Sequence, residues 1–156
     1  MNKKQFREGK VTFKDGALLL NNRYALMYEH EKEQIKKQVK EICEKYKPKK
    51  VLEIGFGLGY SAEAFQEYGI EKHVIVEAHP DIYKKAHSWQ LNHKNYKNIT
   101  IHYCFIQDAE IDENAFDLVF DDRCELVYNV PQLMSFPYYK VTKESKVYSL
   151  PPIKSW

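Results

Sequence analysis

The chain of 156 residues is poor in cysteine. Cys43, Cys104 and Cys124 lie far apart and are odd in number, which fits neither a zinc site nor a secreted disulfide framework. Charge of one sign is also missing. The formal net charge is only +2, so electrostatics make no case for nucleic acid as a partner. The lysines that do cluster, Lys36–Lys37 and Lys47 with Lys49 and Lys50, read as a solvated helix face and a loop. No apolar run approaches the length of a bilayer span. Met1 leads into polar residues, without the apolar core of a leader peptide. The histidines share no metal-ligating spacing, and there is no internal repeat or low-complexity tract. These absences set the expectation of a cytoplasmic chain with a reducing surrounding, without membrane, nucleic acid or metal.

What is present is an ordinary globular mixture, 44% hydrophobic and 29% charged, sufficient for one domain with its own core. We read residues 1–156 as a single unit, with an N-terminal hairpin and helix over 1–47 and an α/β core over 48–156. VTFKDGALLL (11–20) predicts a hairpin turning at Asp15-Gly16. Ile35, Val39, Ile42 and Tyr46 recur at helical spacing and predict a helix over about 24–46 that Pro48 stops. Strands follow at 50–56, 73–78, 99–106, 116–122 and 146–150, with helices over 61–68 and from Pro80, where Ile82, Ala86 and Trp89 share a face. This alternation predicts a doubly wound, Rossmann-like parallel sheet whose ligand sits at the C-terminal strand ends. Cys104 and Cys124 read as core residues.

The sharpest local feature is VLEIGFGLGYS at 51–61, a buried strand that enters a glycine-rich turn. A dinucleotide fingerprint runs G-x-G-x-x-G. Here Gly55, Gly57 and Gly59 alternate, Tyr60 stands where the third glycine belongs, and Glu53 is an awkward neighbour for a phosphate. Two more acids follow later strands: Glu77, beside Ala78, and Asp108, beside Gln107. A carboxylate at Glu77 offers two acceptor oxygens for a vicinal diol.

E-x-G-x-G-x-G resembles the first motif of the class I S-adenosylmethionine-dependent methyltransferases. That resemblance implies a sheet of the class I methyltransferase type, shortened at its C-terminus. It also implies a cofactor set of Glu53, Gly55, Phe56, Gly57, Gly59, Glu77, Ala78, Gln107 and Asp108, with Asp108 taking the adenine amino group. Tyr60, Phe56 and His79 stand where they could border that cofactor. More specifically, Met27 to Asp122 resembles guanidinoacetate N-methyltransferase and its relatives, through MYEHE (27–31), VLEIGFG, HVIVEAHPDIYKKAHSW and FDLVFDD. By that resemblance Glu31 and Asp122 hold the guanidino group of a small acceptor, with Asp121 adjacent.

The implied activity is methyl transfer from S-adenosylmethionine to a small amine or guanidino acceptor, giving S-adenosylhomocysteine. The chain departs from the family at His30, Asp121 and Arg123, and the tail from Glu125 matches poorly. Arg123 pairs with one of the adjacent acids or binds an acceptor carboxylate. Three alternatives stay open at this point: aminopropyl transfer, acceptor-free cleavage of the cofactor, and a non-catalytic cofactor-binding subunit. A homo-oligomer covering the short C-terminal edge is also expected.

Overall fold

The structure is a computed structural model that describes residues 1–123, 138–144 and 146–150. It opens with a short helix, α1 (Lys3–Glu8), which the sequence reading lacks. Asn2 and Gln5 cap it reciprocally: Asn2 Oδ1 accepts from the Gln5 N–H, and Gln5 Oε1 accepts from the Asn2 N–H. The hairpin then forms as expected, from β1 (Val11–Lys14) and β2 (Ala17–Leu20), around Asp15 and Gly16 with positive φ at both. A third antiparallel strand, β3 (Tyr24–Tyr28), pairs with β2.

That strand corrects the expected helix start. The helix α2 spans Lys32–Tyr46, preceded by a 3-10 turn over Glu29–Glu31. Asn21 and Asn22 sit in the left-handed region and turn the chain back on itself. The following aromatic and apolar residues then satisfy their backbone groups against β2, with a register shift between Leu18 and Leu19. From Ile35 onward the helical stripe holds, and Ile35, Val39, Ile42 and Cys43 are buried.

The main sheet has the order β6-β5-β4-β7-β8-β9. Its parallel part is β4 (Lys50–Ile54), β5 (Lys72–Glu77), β6 (Ile99–Tyr103) and β7 (Leu118–Asp121). Between them run α3 (Tyr60–Tyr68) and α4 (Pro80–Leu91). β8 (Tyr138–Val141) and β9 (Lys146–Ser149) add an antiparallel edge pair beside β7. The sequence reading has only the second of these two strands. Cys124 and Trp156 lie outside the described residues.

Alternation along the strands divides the core in two. Val51, Ile75, Leu118 and Phe120 face a cluster fed by α2, α3 and α4. Leu52, Ile54, Val74, Val76 and Val119 face the other way, where Cys104, Ile106 and Ile111 pack from the segment after β6. β4 lies in the middle, and the chain departs from it to opposite sides, through β5 and later through β7. That is the topological switch point at which open α/β sheets hold their ligands.

Phe65 of α3 is fully buried, edge-on to Phe120 at 5.5 Å and to His73 at 5.8 Å. Truncation by Phe65→Ala is expected to cost about 3–5 kcal/mol, read by denaturant unfolding. A loss below 1 kcal/mol would mean that the helix layer does not depend on this contact.

Candidate active site

A cavity of about 490 Å3 opens at the switch point, within the range of small-molecule sites. Gly55 and Gly57 form one wall. The turn is held open by its neighbours: a Cβ on Gly57 would sit 2.8 Å from Met27 Cε, and one on Gly59 would sit 2.7 Å from Phe56 Cζ. Both glycines also have positive φ, +58° and +82°. Met27 closes over the turn from β3, its sulfur 3.3 Å from the Leu58 N–H.

Glu77 is the anchor of the opposite wall. Its side chain is buried, yet it borders the cavity. Oε2 accepts from the Phe56 N–H at 2.8 Å, and Oε1 accepts from the His79 N–H at 2.9 Å. Burial raises its pKa above the ordinary 4.5, and the backbone donors of His79, Phe56, Ala78 and Gly57 oppose that rise. Ala78 and Gln107 also line the cavity, as the sequence reading has them.

Several expected contacts fall elsewhere. Glu53 does not reach the cavity. It is fully buried on the helix-facing side of β4, where it accepts from the Ser61 hydroxyl and pairs with His73 Nε2 at 3.1 Å. Gln66 donates to His73 Nδ1 at 2.9 Å, leaving Nε2–H to donate to Glu53. Phe56 and Gly59 are likewise structural: the Phe56 ring is buried against Trp89 at 5.5 Å, and it covers Gly59. Asp108 lies outside the cavity wall, at the surface, ion-paired with Lys3 of α1 at 2.8 Å. His79 caps α4, accepting from the Asp81 N–H, and reaches the Gly9 carbonyl with Nε2 at 2.9 Å.

At the other end of the cavity stand Asp121, Asp122, Arg123 and Tyr138. Asp122 N donates to Ile54 O at 3.2 Å, which carries the β7 ladder up to the cavity mouth. Glu31 is absent from the wall. Its Oε2 turns back to the Tyr28 N–H at 2.9 Å, and burial raises its pKa against the opposing pull of that bond and of His30. The sequence reading missed Phe6 of α1, Phe105 and Ile106, which line the adjoining apolar stretch. Phe6 is placed by α1, where Arg7 Nε donates to Ala78 O at 3.2 Å and the guanidinium lies over Phe105 and Tyr103. The one sequence signal for that placement is the Asn2–Gln5 cap.

The family model for guanidinoacetate N-methyltransferase matches residues 18–140. The chain belongs to that family. It is a class I S-adenosylmethionine-dependent methyltransferase, and the matched stretch spans β2, the glycine turn, Glu77 and the acids after β7. Among solved structures, the CcbJ methyltransferase from Streptomyces caelestis aligns with a TM-score of 0.48 at 11% identity, over 76% of this chain and 71% of that one. Among the described residues, no helix is long and apolar enough to cross a membrane, and no group of three acids, histidines or cysteines is arranged to hold a metal.

The residues present fit the cofactor that this family implies. The glycine backbone leaves room beside it, Glu77 offers a carboxylate to a diol, and Phe6, Phe105 and Ile106 offer an apolar bed. A diol donating to Glu77 would require its ionised form. With that contact the raised pKa would weaken binding, as pH falls, sooner than an ordinary glutamate would dictate. Titration calorimetry with S-adenosylhomocysteine should show affinity falling as pH drops toward the raised pKa, and Glu77→Gln should bind weakly and flatten that dependence. A pH-independent affinity in the native protein would remove Glu77 from the ligand contacts.

Proposed function

We propose that this methyltransferase acts on a small amine or guanidino nitrogen, with Asp122 as the residue that meets the acceptor. The observation that carries the reading is the division of one cavity into a glycine-and-Glu77 end and an acidic end at Asp121 and Asp122. When bound, S-adenosylmethionine supplies an electrophilic methyl on a sulfonium and leaves as S-adenosylhomocysteine. Gly55 and Gly57 let the backbone approach its methionyl part, and Glu77 with Ala78 and Gln107 receives the adenosyl part.

The chain's task at the acceptor is positioning and proton removal. A guanidinium or ammonium is not nucleophilic while fully protonated. The carboxylate of Asp122 attracts the cation, orients one nitrogen toward the methyl, and takes a proton as the N–C bond forms and the S–C bond breaks. Asp121 stands beside it, fully buried and ion-paired with Arg123 at 3.0 Å. Glu31 falls to a supporting role in this reading. It holds the entry to α2, and with it Met27 and the glycine turn, rather than touching the acceptor.

The test separates chemistry from cofactor binding. With guanidinoacetate and a panel of small amines as acceptors, Asp122→Asn should lower turnover at least ~100-fold, the scale of lost acid–base catalysis. Its affinity for S-adenosylhomocysteine should stay within about twofold of native, because Asp122 is remote from Glu77 in this assignment. Turnover that survives the change would move the acceptor site away from Asp122.

A further inference from the structure

The acidic end of the cavity already holds a guanidinium, and it belongs to the chain itself. Arg123 lines this end with Asp121, Asp122 and Tyr138. Asp121 closes β7 and is 1% exposed. Its Oδ1 accepts from the Arg123 backbone N–H at 3.2 Å, and Arg123 Nη2 stands 3.0 Å from Oδ2. That approach lacks hydrogen-bond alignment, so Oδ2 is a buried carboxylate oxygen at the cavity wall that none of the described residues satisfies.

An arginine that serves only to neutralise a buried acid does best with its planar fork square on the carboxylate, in two parallel bonds. Arg123 does not sit that way. Its backbone is fixed, because it donates to Asp121 and packs against Gly55, 3.4 Å from where a Cβ would be. Its side chain is 39% exposed, so the guanidinium can swing into solvent without moving the chain. Asp121 cannot follow it, because its backbone is paired with Ile54 of β4 on one side and with Tyr138 of β8 on the other.

The acceptor assigned above is a cation of the same kind as this side chain. Two cations cannot share one carboxylate oxygen without repulsion. We propose that Arg123 is an internal competitor for the acceptor: its guanidinium holds the place at Asp121 Oδ2 that the acceptor's cationic nitrogen takes when the arginine swings out. The inference rests on the acceptor reading above and adds Asp121 as a second carboxylate contact, masked in the free protein. The apparent affinity for an acceptor is then the intrinsic affinity reduced by the fraction of molecules in which Asp121 is vacant.

Replacement of the lost guanidinium by a small one tests this without requiring turnover. Calorimetry measures binding of methylguanidine, ethylammonium and neutral methylurea to protein saturated with S-adenosylhomocysteine. The proteins are the native chain, Arg123→Gln, Arg123→Lys and the double variant Arg123→Gln with Asp121→Asn. Methylguanidine should bind Arg123→Gln at least ~5-fold more tightly than the native chain, the scale of losing a solvent-screened ion pair. Ethylammonium, which lacks the fork, should gain less, and methylurea should gain nothing. Arg123→Lys, which keeps a charge at Asp121, should gain less than Arg123→Gln, and Asp121→Asn should abolish the gain. Methylguanidine should also raise the melting temperature of Arg123→Gln more than that of the native chain. Methylguanidine binding to Arg123→Gln that is unchanged, weaker or absent overturns the proposal. So do equal gains for the two cations, which would show only a repulsive field, and a gain that survives Asp121→Asn. Absence of turnover with every acceptor would instead overturn the acceptor reading, and failure of S-adenosylhomocysteine to bind would overturn the site itself.

Discussion

The carboxylate of Glu77 is the joint on which the site depends. It ends β5, yet its two oxygens are bonded to backbone N–H groups of two different turns, Phe56 after β4 and His79 before α4. Burying a carboxylate is costly, and bonds from backbone donors to a charged group offset that cost by roughly 1.5–3 kcal/mol each. The glycine turn and the start of α4 are thereby fixed relative to each other on either side of the switch point. The same oxygens keep lone pairs for a ligand, so the group that assembles the cavity is also the one suited to a ribose.

Position along the strand explains why two acids on the same face of the sheet have different fates. Glu53 and Glu77 both stand near the C-terminal ends of central parallel strands. Glu53 lies one residue inside the end of β4, on the face packed under α3, where Ser61 and His73 complete its bonding. Glu77 is the last residue of β5, in register with Tyr103 of β6, and it borders the cavity. The acid of the glycine motif thus shapes the turn from beneath, while the acid of the next strand meets the cavity.

The central strands, the glycine turn and the helical stripe of α2 were legible because each rests on local pattern: period two, period 3.6, or positive φ. What escaped rests on distant partners. β3 reads as helix until β2 is available to pair with it. β8 becomes a strand only against β7. Glu77, Ala78, Gln107, Asp121 and Asp122 were found and border the cavity. Glu31 and Asp108 were placed by resemblance, and each is taken by a neighbour that pattern does not reveal, the Tyr28 N–H and Lys3. Phe6 has only the Asn2–Gln5 cap as a local signal of its placement, and Tyr138 has none. They reach the cavity from elements far away in sequence.

The family's fold and its glycine turn are in place, and the proposed acceptor end is formed by the charges after β7. The central claim is acceptor-dependent methyl transfer. The most direct measurement is mass spectrometry of the adenosyl products formed from S-adenosylmethionine, with and without a pool of amines and guanidino compounds. The account predicts S-adenosylhomocysteine in step with a methylated acceptor, and little product without the pool. Methylthioadenosine, or product that ignores the acceptor, would contradict it.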